Sequence, residues 1–90
     1  IINIHPSLLP KYKGLHAIEQ AFNSDDDVTG CTVHYVNEEL DGGEIILQSE
    51  VPILPTDDLK SLTKAIQRRE YHILPRAIEY VKHKIQVKIN

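Results

Sequence analysis

Polar and apolar positions alternate from the first residues of the chain. Ile2 and Ile4 fall on one side of an extended segment, Asn3 and His5 on the other, and Pro6 ends the run. This predicts a short buried strand over residues 1–5. Pro10, Lys11 and Gly14 continue as loop. Leu15, Ile18, Ala21 and Phe22 are spaced to bury one stripe, which predicts a helix over 16–23. Asp25, Asp26 and Asp27 form an acidic loop whose plain reading is a solvated turn. From Gly30, a second strand over 31–36 alternates Cys31, Val33 and Tyr35 with Thr32, His34 and Val36. Residues 37–43 form a polar loop, and its paired glycines, Gly42 and Gly43, permit backbone angles for a tight return. A third strand over 44–53 breaks at Pro52 and Pro55.

The remaining third of the chain switches to helical spacing. Thr56 is the expected cap, with Asp57 and Asp58 near the positive end of the dipole. Leu59, Leu62, Ala65 or Ile66, Arg69 and Ile73 follow, and Pro75 is expected to kink or divide the helix. Ala77, Ile78 and Val81 extend the apolar face to about Lys82. Ile85, Val87 and Ile89 alternate with Gln86 and Lys88, which predicts an edge strand over 85–89. The order strand, helix, strand, strand, helix, strand fits the end of an open α/β sheet with helices on its faces.

Composition narrows the function classes. The 90 residues, 41% hydrophobic and 26% charged, have the make-up of one globular domain rather than a disordered segment. No apolar run approaches the ~20 residues of a membrane span. A net charge of −3 gives no general basic footprint for nucleic acid. The single cysteine, Cys31, excludes an internal disulfide and suits a reducing compartment. It has no activating base beside it in sequence and reads as a buried thiol. Methionine is absent and the chain opens on two isoleucines, so it is expected to be the later part of a longer protein.

Asn3 and His5 share a side of a strand that ends at once, and sites in open α/β sheets lie beyond strand ends. The Asn3 amide can donate, and a histidine can carry a proton near neutral pH. Asp41 is a candidate third member, since a carboxylate beside His5 would favour the charged ring. Each also has a plain structural reading, as a satisfied strand-end group or a turn. His5, His34 and Asp41 match no compact metal-ligand spacing. His34 reads as a packing residue, and His16, His72 and His83 read as solvated. No glycine-rich phosphate loop occurs.

The run Asn3-Ile4-His5-Pro6-Ser7-Leu8-Leu9-Pro10-Lys11-Tyr12-Lys13-Gly14-Leu15-His16 resembles the signature of the phosphoribosylglycinamide formyltransferase family. The likeness continues through Gly30-Cys31-Thr32-Val33-His34-Tyr35-Val36, Glu39-Leu40-Asp41-Gly42-Gly43 and Ile45-Ile46-Leu47-Gln48. It covers nearly the whole chain and corresponds to the C-terminal half of that family's domain. Two related enzymes match less well. The formylfolate hydrolase carries a second His and a Phe in the first segment. The methionyl-tRNA formyltransferase has Gly-Ala-Ala where Gly14-Leu15-His16 stands.

The resemblance implies a Rossmann-like formyltransferase sheet lacking its N-terminal, phosphate-binding half. It implies transfer of the formyl group of 10-formyltetrahydrofolate to the amine of glycinamide ribonucleotide, without a metal. Asn3 and His5 would be catalytic, His5 as proton donor, with Asp41 raising its proton affinity. Asn3, Asn37, Glu38, Glu39, Leu40 and Asp41 would bind folate, and Gln67 and Glu70 the ribonucleotide. The implied partners are small molecules, with no nucleic acid or membrane and with room for a homodimer, in the cytoplasm. The competing functions are formylfolate hydrolysis and a non-catalytic module keeping the fold. By the same resemblance the fragment by itself is expected to be inactive.

Overall fold

Among the described residues five elements follow one another: β1 (Ile2–His5), α1 (Ala17–Phe22), β2 (Val28–Tyr35), β3 (Ile45–Pro52) and α2 (Leu59–Ile89). The computed structural model describes residues 1–37 and 42–89. The three strands form one sheet in the order β1-β2-β3, and both pairings are antiparallel. This is an α/β arrangement, an open sheet with helices, in which the described strands all run against their neighbours.

The face of the sheet that carries Cys31, Val33 and Val51 packs on α2 through Leu62, Ile66, Ile73 and Ala77. Ile2 and Ile4 join that cluster from β1, and Ile18 and Phe22 join it from α1. Each fully buried aliphatic side chain there is worth about 1.5–3 kcal/mol of transfer energy.

The opposite face of β2 is buried as well. Thr32 is 0% exposed and His34 3%. The alternation in β2 therefore does not separate core from solvent. The loop after β1 folds back over this second face and covers it. Gly30 lies within β2, which begins three residues earlier than the sequence pattern suggests. A Cβ at Gly30 would overlap the Ser49 carbonyl of β3 and press on Leu8 of the loop. Gly43 has a similar reason, since a Cβ there would overlap the Tyr35 carbonyl. Close approach, rather than a left-handed backbone, accounts for glycine at position 43. Between Val33 and His34 the register with β3 shifts, so that Leu47 and Ile45 are successive partners and Ile46 is the extra residue of a bulge.

The long helix corrects the expectations at its cap and its C-terminal end, and at Pro75 it excludes division, one of the two alternatives. Its cap is Asp58, not Thr56: Asp58 Oδ1 accepts the Ser61 N–H at 2.7 Å and Ser61 Oγ accepts the Asp58 N–H at 3.0 Å. Pro75 lies inside the helix without ending it. Its side chain is exposed, so water can reach the carbonyl that has lost its usual donor. Residues 85–89 belong to α2 and not to an edge strand. The helix runs 31 residues, about 46 Å at 1.5 Å per residue, far longer than the sheet beneath it.

At α1, His16 precedes the helix in a left-handed conformation, φ 61°, and Leu15 is 83% exposed instead of joining the buried stripe. Ile1 is 98% exposed, and β1 is only partly buried.

Candidate functional site

Strand alternation puts Asn3 and His5 on the face of β1 that looks away from α2, as their spacing requires. Across the sheet Asn3 stands opposite His34, and His5 opposite Thr32. The four side chains share one face. Directly opposed Cβ atoms in such pairs lie about 4.5–5.5 Å apart. Asn3 is exposed and His5 is buried.

The loop from Pro6 to Lys13 gives His5 its setting. Nε2 of His5 lies 2.8 Å from the Tyr12 carbonyl oxygen, which can only accept. The neutral ring therefore carries its hydrogen on Nε2. Tyr12 reaches this position with φ 55°, a left-handed angle that a bulky residue adopts only when its surroundings require it. The Tyr12 hydroxyl donates to Asp26 Oδ2 at 2.6 Å, and Lys11 Nζ reaches the same oxygen at 3.0 Å. Asp26 thus fastens the far end of the loop, and these two bonds hold its carboxyl below the usual range.

The near end is held from the sheet. The buried Thr32 hydroxyl donates to the Ser7 carbonyl at 2.7 Å and accepts the Leu9 N–H at 3.1 Å. Gln48 Nε2 donates to Thr32 Oγ1 at 3.0 Å and to the Leu9 carbonyl at 2.9 Å. Ser7, itself 0% exposed, donates to the Lys11 carbonyl at 2.6 Å. Five residues with no site role in the sequence reading (Ser7, Tyr12, Asp26, Thr32 and Gln48) thus fix the loop that holds His5. For Thr32 and Gln48 the sequence offered one signal, polar positions on the strand face that His5 shares; for Ser7, Tyr12 and Asp26 it offered none.

His34 is buried, and its Nδ1 donates to the Tyr35 carbonyl at 3.0 Å, as a packing role predicts. His16, His72 and His83 are exposed. Cys31 is fully buried, and burial pushes its thiol up to about 11, with the charge of Glu70 adding to the effect. It is an inert thiol near neutral pH.

On the α2 side, Gln67 and Glu70 line one cavity with Ile4, Tyr71 and Leu74, of about 330 Å³. Glu70 is half-buried, and burial holds its carboxyl above the usual range, opposed by the charge of His5. The helix residue and the strand-end histidine are therefore within electrostatic reach of each other. Of the remaining sequence candidates, Asn37 is exposed, and Glu38, Glu39, Leu40 and Asp41 lie outside the described residues. Among the described residues no group of three or more His, Cys, Asp or Glu could hold a metal ion. No helix among them is long and apolar enough to cross a membrane.

Residues 1–78 match the family model described as formyl transferase. The chain is 54% identical over 78 residues to the trifunctional purine biosynthetic protein adenosine-3 of Drosophila melanogaster, covering 87% of this chain and 6% of that protein. It is 49% identical over 80 residues to the phosphoribosylglycinamide formyltransferase of Haemophilus influenzae, covering 89% of this chain and 38% of the relative. The crystal structure of the phosphoribosylglycinamide formyltransferase from Anaplasma phagocytophilum superposes with a TM-score of 0.90 at 46% identity, over 93% of this chain and 41% of that one. That of the Bacillus halodurans enzyme gives 0.87 at 49% identity, over 90% and 42%. The chain thus spans about two-fifths of the length of its single-function relatives.

Proposed function

Because this chain belongs to the formyl transferase family, we propose that the protein containing it moves the formyl group of 10-formyltetrahydrofolate to the amine of glycinamide ribonucleotide. Single-function relatives named for that reaction, 49% identical over 80 residues in the Haemophilus case, support the choice of acceptor. The observation that carries the reading is the pairing of Asn3 and His5 on one face at the end of β1, with His5 held by a loop bound at both ends.

Amine attack on the formyl carbon places negative charge on the formyl oxygen, where the Asn3 amide and the His5 ring would donate. As the carbon–nitrogen bond to folate breaks, the leaving nitrogen needs a proton, which protonated His5 would supply. Asp41 would raise the proton affinity of His5, and the stretch Asn37 to Asp41 would hold the pterin. Gln67 and Glu70 share one cavity, and a carboxylate there suits the ammonium or amine of the ribonucleotide. In this reading no metal takes part, the partners are small molecules, and the compartment is the cytoplasm. The ninety residues act as the later half of a formyltransferase domain, with the phosphate-binding half supplied upstream.

The test uses the full-length protein with formylfolate, in the presence and absence of glycinamide ribonucleotide. Formyl transfer that needs the amine is expected, and formate release independent of it would replace the proposal with hydrolysis. His5→Ala should lower turnover by about 10²–10⁴. Unchanged turnover in that variant would remove His5 from the chemistry.

A further inference from the structure

His5 is aimed by a backbone atom, and that atom belongs to a residue in a strained conformation. Nε2 of His5 donates to the Tyr12 carbonyl at 2.8 Å. Tyr12 holds a φ of 55°, which an aromatic residue leaves unless something beyond its own backbone keeps it there. The grip of Thr32 and Gln48 closes on Ser7 and Leu9 and does not extend to Tyr12. Ser7 Oγ donates to the Lys11 carbonyl at 2.6 Å and lies 3.5 Å from that of Tyr12. The short bond that holds Tyr12 is made by its side chain, whose hydroxyl donates to Asp26 Oδ2 at 2.6 Å.

Asp26 suits an anchor because it does not travel with the loop. It sits in the turn between α1 and β2, where its N–H donates to Ser24 Oγ at 3.1 Å. That hydroxyl donates in turn to the Ala21 carbonyl of α1 at 2.6 Å. One residue on, the Asp27 carbonyl accepts the Ile53 N–H at 2.8 Å, just past the end of β3. The turn is thus fastened on both sides of the carboxylate. Asp26 is half-buried, whereas Asp25 and Asp27 beside it are exposed.

We propose that Asp26 is a positioning residue for the reaction. Through the Tyr12 hydroxyl it holds the Tyr12 carbonyl against Nε2 of His5, and so fixes the tautomer and tilt of the ring. The inference rests on the proposed formyl transfer for its kinetic readout. Without the carboxylate, Tyr12 relaxes toward negative φ and its carbonyl turns with it. A ring that swings or exchanges tautomers is aimed less often at the reacting formyl group, which lowers turnover. Neither Asp26 nor Tyr12 lines the cavity of Gln67 and Glu70, so substrate affinity stays in place.

The test compares Asp26→Ala and Tyr12→Phe in the full-length protein, with Asp25→Ala as a control that removes a neighbouring charge. The first two should each lower kcat about tenfold or more, with KM for formylfolate and glycinamide ribonucleotide within about threefold of wild type. The double variant Tyr12→Phe/Asp26→Ala should be no slower than the slower single one, within about twofold. Asp25→Ala should keep the wild-type kcat. Asp26→Asn, which keeps an acceptor for the Tyr12 hydroxyl, should retain more activity than Asp26→Ala and stands in for it if the alanine variant does not fold. NMR of the His5 ring nitrogens should show the Nε2–H tautomer in the neutral ring of the wild type and a mixture in Tyr12→Phe and Asp26→Ala. A general loss of stability does not produce that change while circular dichroism shows each variant folded. Unchanged kcat, KM rising in step with the loss of kcat, independent effects that multiply in the double variant, or an unchanged His5 nitrogen pattern would overturn the proposal. A wild type that leaves the amine unformylated would sink the reaction assigned above, and the nitrogen pattern would still decide whether Asp26 orients the ring.

Discussion

Thr32→Val removes one buried hydroxyl and keeps the shape of the side chain. Three interactions go with it: donation to the Ser7 carbonyl, acceptance of the Leu9 N–H, and acceptance from Gln48. Gln48 keeps its second bond, to the Leu9 carbonyl, and so suffers least. The Leu9 N–H loses its partner at a residue 5% exposed, where water cannot replace it easily. At about 1 kcal/mol per net bond, with an orphaned buried donor near the upper end of 1–3 kcal/mol, the loss should be about 3 kcal/mol. Thr32→Ser keeps the hydroxyl and removes a methyl, and should lose only about 1 kcal/mol. Urea denaturation of both variants in the full-length protein measures the difference. Hydrogen exchange at the Leu9 amide locates it, because the loop should open before the sheet does. A Thr32→Val protein within about 1 kcal/mol of wild type, or with Leu9 protection unchanged, would refute the claim that this hydroxyl holds the loop.

Other expectations follow from single contacts. Gly30→Ala drives a Cβ into the Ser49 carbonyl, so the β2–β3 pairing must shift, at a cost of about 3 kcal/mol or more by thermal or urea unfolding. Cys31 should resist disulfide reagents while the protein is folded, since a thiol pushed up to about 11 leaves about one in a thousand ionised near pH 8. Labelling at the rate of an exposed thiol would contradict its burial. The same upward shift means that stability contributed at Cys31 is full below the unfolded value of 9.0 and declines as pH rises toward 11. Asp26 shows the opposite sign. Its lowered folded value contributes stability above the ordinary 3.8 that is lost as pH falls through the folded value. Asp26→Asn should therefore flatten the acid limb of the stability–pH curve, and an unchanged limb would show that Tyr12 and Lys11 do not depend on that carboxylate.

The sheet was readable because β1 and β2 obey a period of two, and α1 and the first half of α2 a period near 3.6. Residues 85–89 misled because five residues of strict alternation satisfy a strand template while lying in a helix already under way. Between Pro75 and Asn90 no glycine or proline offers a stop, and extending a formed helix is far easier than starting a new element. Asn3 and His5 could be paired from spacing alone. Gln67 and Glu70 could not, since an amide and a carboxylate on a helix read as solvated until the cavity beside Ile4 is seen. Thr32 and Gln48 were hidden for a different reason. A polar strand position ordinarily faces water, and only the return of a loop distant in the chain turns that face inward.

The clasp over that loop grips peptide groups and not side chains: the carbonyls of Ser7 and Leu9 and the amide of Leu9. Mutational tolerance should therefore be lopsided. Swaps at the outward Lys13 leave the anchored atoms in place, whereas changes at Thr32 or Gln48, distant in the chain, would let the whole turn drift. A deletion at Leu9 or Pro10 would be worse than a substitution at Lys13, because it changes the length of chain between the clasp at Ser7 and the Tyr12 carbonyl that holds His5.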